Sequence, residues 1–146
     1  MKQQTLFRVL LFLYSVMLLY FMFAGFHRSI HSNYRYNLIP FHTISAYVRN
    51  LSLDNVIDTS INLIGNIAVF IPLGFLIPAS KSHPWSYGRF ILFFSSFIIL
   101  LECMQTFLRV GTGDIDDLLL NVIGGSVGYV LFSQYKKMSF IDHQKT

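Results

Sequence analysis

The chain is 146 residues long, 53% hydrophobic and only 12% charged, with a mean hydropathy of +0.53 and a formal net charge of +4. Globular domains carry about 25% charged residues, so too few charges are present to cover a water-facing surface, and a soluble globular protein is excluded. A single cysteine, Cys103, excludes an intrachain disulfide, and no Cys/His spacing matches a zinc site.

Four apolar segments follow one another, over residues 6–26, 61–79, 90–108 and 115–133. Each approaches the ~20 residues that a helix needs to cross hydrocarbon. Their apolar side chains run all round rather than along one stripe, as a helix in lipid requires. The first follows Lys2 and Arg8. It exceeds the roughly 7–15 residues of a signal-peptide core, and no small-x-small cleavage site follows it, so it reads as a retained helix. Cys103 falls within the third segment and reads as a small core hydrophobe. The sequence thus predicts an all-α, polytopic membrane protein: one domain over 1–146, a four-helix transmembrane bundle with a short interfacial extracytoplasmic segment.

Counting Lys and Arg orients it. Lys2, Arg8, Lys81, Arg89, Lys136, Lys137 and Lys145 fall on one side, and Arg28, Arg35, Arg49 and Arg109 on the other. The positive-inside rule then puts both termini in the cytoplasm of a bacterial cytoplasmic membrane. The long loop between the first two spans lies outside. Its Asn37-Leu38-Ile39-Pro40-Phe41 stretch is apolar enough for the interface, flanked by Tyr34, Tyr36 and Tyr47 in the manner of an aromatic belt. His27, His31 and His42 read as surface residues of this loop. A helix is expected to begin near Ser52 and enter the membrane.

Polar side chains are expensive in hydrocarbon, so those in or beside the spans face the bundle interior or mark function. Asp54, Asp58, Asn62 and Asn66 share one helix face by their spacing of four. Interhelical hydrogen bonding and a functional role are equally open for the two Asn, and the two Asp read as structural or solvated. Glu102, Gln105 and Arg109 lie at i, i+3 and i+7, which on a continuous helix is again one face. A buried structural ion pair and an acid/base or ligand role are equally open for this set. Gly111-Thr112-Gly113 makes a tight turn before Asp114, Asp116 and Asp117. Asp114 suits a helix cap and Asp117 the positive end of the dipole. Three carboxylates exceed what a cap needs, and a hard divalent cation on Asp114, Asp116 and Asp117 is one way to offset their repulsion. Asn121 follows on the Asp114/Asp117 face. The Gly124-x-x-x-Gly128 spacing reads as close helix packing, and Pro72 with Gly74 as a kink.

These pieces, taken in order, resemble the VanZ-like family of bacterial membrane proteins. They are Asn37-Leu38-Ile39-Pro40-Phe41; Asn62-Leu63-Ile64-Gly65-Asn66-Ile67 with Phe70-Ile71-Pro72-Leu73-Gly74; Glu102-Cys103-Met104-Gln105; Asp114 through Asn121; and Gly124-Gly125 with Gly128-Tyr129. The resemblance covers about residues 37–130. Each piece alone is weak, and all five in order are specific. The resemblance implies a cell-envelope location and, through the member that names the family, a link to teicoplanin resistance; it implies no reaction. Members often carry an Arg close before the acidic motif and an aromatic just before its first Asp. Here Arg109 stands five residues upstream and Gly113 precedes Asp114.

Three functions compete. The first is an extracytoplasmic pocket of Asn37, Asn62, Asn66, Glu102, Gln105, Arg109, Asp114, Asp117 and Asn121 that binds a membrane lipid, a cell-wall precursor or a glycopeptide-like ligand. The second is a membrane enzyme that modifies a lipid head group or cell-wall precursor, with Glu102 and Asp117 as catalytic candidates and a divalent cation as its candidate cofactor. The third is a small transporter subunit, disfavoured by the absence of an inverted-repeat signal. Nucleic acid is disfavoured because Lys and Arg flank the spans without forming a patch. Assembly into a homo-oligomer stays open.

Overall fold

The computed structural model describes residues 2–25, 30–50, 52, 56–83 and 85–145, and leaves the side chains of residues 2, 58, 61 and 140–145 undescribed. Asp54, the side chain of Asp58 and His27 therefore lie outside what is described. The described residues form five helices: α1 (Lys2–Phe23), α2 (His42–Arg49), α3 (Val56–Ala79), α4 (Tyr87–Phe107) and α5 (Ile115–Lys145). Two short parallel strands, β1 (Tyr36–Asn37) and β2 (Gly113–Asp114), complete the element order. Helices α1, α3, α4 and α5 are long and apolar enough to cross a membrane, so the chain is a multi-pass, all-α membrane protein. At 1.5 Å per residue, the 21 to 24 residues of α1, α3 and α4 span about 31–36 Å, slightly more than the hydrocarbon core.

The central contact joins α3 to α5, and glycine makes it close. A Cβ added at Gly124 would run into the carbonyl of Ile67, one at Gly128 into the carbonyl of Ile71 and the Cα of Gly74, and one at Gly74 into the backbone of Gly125. The expected close packing at Gly124 and Gly128 is thus a backbone-to-backbone seam. Gly74 belongs to that seam, and α3 continues through Pro72 and Pro78 to Ala79. Beside the seam, Phe70, Phe90 and Phe94 form the aromatic centre with Leu73, Ile77 and Ile98. Tyr129 packs on Phe90, and its hydroxyl donates to the Trp85 carbonyl at 2.8 Å. Helix α1 leans on α3, where Tyr14 donates its hydroxyl to the Val69 carbonyl at 2.7 Å. Phe12, Leu13 and Tyr20 on α1 point outward, which is stable only against lipid.

The bundle has two unlike ends. One, the termini end, carries the start of α1, the α3–α4 turn and the end of α5. The other, the loop end, carries the connection from α1 to α3 and the turn from α4 to α5. There β1 and β2 pair Tyr36 with Gly113 and Asn37 with Asp114. Two further backbone bonds, Gly113 N to Arg35 O at 3.1 Å and His31 N to Arg109 O at 2.9 Å, stitch the loop to the turn. The apolar interfacial stretch expected at residues 37–41 leads into α2, an eight-residue helix with no buried residue.

Candidate functional site

Helix α2 has no side-chain cap of its own. Its N-cap is Phe41, in the left-handed conformation at φ 62°, and no side chain at that position can accept a bond. Asp116, fully buried in the first turn of α5, supplies what is missing. One carboxylate oxygen accepts from Phe41 N at 2.6 Å and the other from Ile44 N at 3.0 Å. These are the N-cap and N3 amides that a capping box satisfies. Here a single carboxylate from another helix does both, and adds a negative charge at the positive end of the dipole.

Asp114 works beside it. As the N-cap of α5 it accepts from Asp116 N at 2.9 Å, as its position in the sequence predicts. Its carboxylate also accepts from Thr43 Oγ1 at 2.5 Å and from Asn37 Nδ2 at 3.4 Å. Asn37 in turn donates to Thr43 Oγ1 at 3.0 Å and accepts from Ile39 N at 3.2 Å, fixing its own turn. Thr43 had no sequence signal, because nothing in its surroundings marks a helix that short. Asp114 and Asp116 therefore hold the loop and α2 against α5.

Further into the bundle, α5 forms two polar bridges one turn apart. Asn66 Nδ2 of α3 donates to Asp117 Oδ1 at 2.6 Å. Asn121 Nδ2 donates to Glu102 Oε1 of α4 at 3.3 Å, while Asn121 Oδ1 is buried without a partner among the described residues. Glu102 precedes the end of α4 by five residues, about 7.5 Å along the axis. Gln105 turns the other way. It is buried and donates to the Met22 carbonyl at 2.8 Å, joining α4 to the end of α1.

Arg109 does not share the Glu102 face, contrary to the i+7 spacing. Helix α4 ends at Phe107, with Leu108 as its C-cap. Arg109 N then donates to Thr106 O at 3.0 Å and Val110 N to Gln105 O at 3.1 Å. This is a Schellman motif with arginine, at φ 57°, in the left-handed position usually held by glycine. The turn swings the side chain off the helix face. Its guanidinium lies 5.7 Å from the centre of the Tyr34 ring and donates to the Ser32 carbonyl at 3.3 Å.

The three acidic residues of the turn also diverge. Asp114 and Asp116 are engaged by loop donors and Asp117 by Asn66, and among the described residues no three His, Cys, Asp or Glu side chains gather as metal ligands. Among the described residues the three carboxylates expected as a cation set each accept from a protein donor and do not gather at one point.

Concavities lie at this end among the described residues. The first is a groove of about 430 Å³ between the loop, α4 and the start of α5. Its walls include Tyr34, Leu38, Ile99, Phe107 and Leu118, and Glu102 and Asp114 line it as well. Leu38, Ile99 and Phe107 are exposed, so the groove opens sideways towards lipid. Cys103 lines it and is exposed, which corrects its reading as a core residue. The second, about 370 Å³, lies between α2 and α3 and is lined by His42, Thr43, Tyr47, Asn50, Thr59 and Asn62. Asn62 thus lines the concavity beside α2. The expected set is divided: Glu102 and Asp114 meet at the groove with Asn121 behind, Asn37 and Asp117 brace its surroundings, Asn62 lines the second concavity, and Gln105 and Arg109 are turned elsewhere.

The family model described as VanZ/LLP1 matches residues 9–137. No curated protein and no solved structure matches the chain.

Proposed function

The chain belongs to the VanZ/LLP1 family, and from that membership we propose that it is a cell-envelope binding protein whose loop-end groove takes a membrane-resident amphipathic ligand. The observation that carries this reading is the pairing of one apolar, laterally open groove with a carboxylate about 7.5 Å below the end of its helix wall. Leu38, Ile99, Phe107 and Leu118 suit an acyl or isoprenoid chain. Glu102 on the groove wall is an acceptor, so the head group it favours bears hydroxyl, amide or ammonium donors. A lipid-linked cell-wall precursor has that chemistry in its sugar and peptide portion, and a lipid-bearing glycopeptide of the teicoplanin type has it too. The positive-inside rule puts this end outside the cell, where both are met.

Catalysis is the lesser reading, because Asp114 and Asp116 are tied to loop donors and Asp117 to Asn66. The test is a binding titration of the purified chain with a short-chain lipid-linked disaccharide precursor. Wild type binds saturably. Leu118→Trp, which fills the groove, and Glu102→Gln, which removes the charge but keeps the shape, each weaken binding by about tenfold or more, about 1.4 kcal/mol. Unchanged affinity in both variants would discard the groove as the site. Chemical change of the lipid, with or without divalent ions, would move the chain to the enzymes.

A further inference from the structure

The opposite end of the bundle has a groove whose charged side chains are cationic. Between α1 and the turn from α3 to α4 lies a concavity of about 630 Å³ lined by Arg8, Phe12, Ser15, Ser80, Lys81 and Ser82. The Arg8 guanidinium anchors on the turn, donating from Nε to the Ser80 carbonyl at 3.1 Å and from an amino group to Ser82 Oγ at 3.5 Å. This fixes the planar fork while leaving donors over. The Lys81 ammonium sits 4.7 Å from the centre of the Trp85 ring. A second concavity on the other side of the turn shares Lys81 and Ser82 and adds His83 and Lys136. Glu102, Asp114, Asp116 and Asp117 all lie at the loop end, so none of these described carboxylates offsets the cations here.

Two held cations and the hydroxyls of Ser15 and Ser82 are chemistry for a phosphate oxyanion. Phe12 is 67% exposed and lines the same groove. A free anion has no use for that wall, whereas a lipid whose phosphate docks at the turn lays its chains along it. Basic pockets between helices at a membrane face hold anionic lipid head groups in this manner. We propose that Arg8 and Lys81 form a binding site for the phosphate of an anionic phospholipid, independent of the loop-end groove.

Trp85 is the sole tryptophan, so its emission reports directly on the Lys81 ammonium beside it. The full chain in a neutral detergent is titrated with dioctanoyl phosphatidylglycerol, dioctanoyl phosphatidylcholine and inorganic phosphate. Phosphatidylglycerol shifts the emission saturably, phosphatidylcholine does so at least about tenfold less tightly, and inorganic phosphate leaves it unchanged. Arg8→Gln, with Lys81 and Trp85 intact, abolishes the preference for phosphatidylglycerol, and Arg8→Lys retains most of it and serves as the folded control. Equal responses to the two lipids, an equal response to phosphate alone, or wild-type preference in Arg8→Gln would each overturn the site. If both Arg8 variants fail to fold, the lipid and phosphate arms on wild type decide it.

Discussion

Helix α5 is held in two ways along its length. In its middle, Gly124 and Gly128 meet the α3 backbone at Ile67, Ile71 and Gly74 with no polar side chain involved. At its start, Asp114 and Asp116 hold the loop and α2 through hydrogen bonds, with no residue of α2 fully buried. The seam is decided by volume, since one added carbon has nowhere to go. The loop end is decided by donor and acceptor matching, since each buried group needs its partner. The lateral groove lies at the second kind of region, where the backbone can be shaped to a ligand without disturbing the first.

The largest effect should break the seam. Gly128→Val forces branched carbons onto the Ile71 carbonyl and the Gly74 Cα. Backbone cannot yield as a side chain can, so a loss of at least about 3 kcal/mol is expected, the upper range for overpacking. Thermal unfolding in detergent should show little or no folded protein, and a wild-type midpoint would show that the two helices are not in backbone contact.

Asp116→Ala should separate the two regions. The amides of Phe41 and Ile44 lose their acceptors, at about 1–3 kcal/mol each if they stay buried. An isolated eight-residue helix is marginal in water, so α2 should unfold while the seam remains. Hydrogen exchange would then accelerate over residues 41–50 and stay slow from 67 to 77. Equal acceleration in both would mean that the loop end and the seam form one cooperative unit.

The smallest effect sharpens the comparison at Arg109. Glycine there removes a left-handed penalty of about 1–2 kcal/mol, and it also removes the Tyr34 and Ser32 contacts. Stability by thermal melting should move by less than about 1 kcal/mol. The loop wall of the groove is held less firmly, so ligand affinity should fall. Unchanged affinity would show that Tyr34 needs no support from Arg109.

The seam was readable from sequence and the loop end only in part. Four long apolar runs and a Gly-x-x-x-Gly pair state their role locally, and Asp114 stands where a cap is needed. Asp116 does not announce its partner, because the amides it serves lie 75 and 72 residues away on a helix too short to show a period. Arg109 stands one residue past the third apolar run, and its i+7 spacing shares the Glu102 face only if the helix continues; glycine usually fills the left-handed position of a Schellman motif, and here arginine does. Cys103 read as core because a membrane helix is apolar on its lipid side as well. Only the packing of α4 against α5 decides which side is which.

The most direct measurement uses that thiol, the only one in the chain. Alkylation of Cys103 by a membrane-permeant maleimide is timed in native envelope membranes, for wild type and for Glu102→Gln. If a ligand occupies the groove and is held at Glu102, the thiol is shielded in wild type and reacts several-fold faster in the variant. Equal rates in the two proteins, with both folded, would contradict a ligand held there.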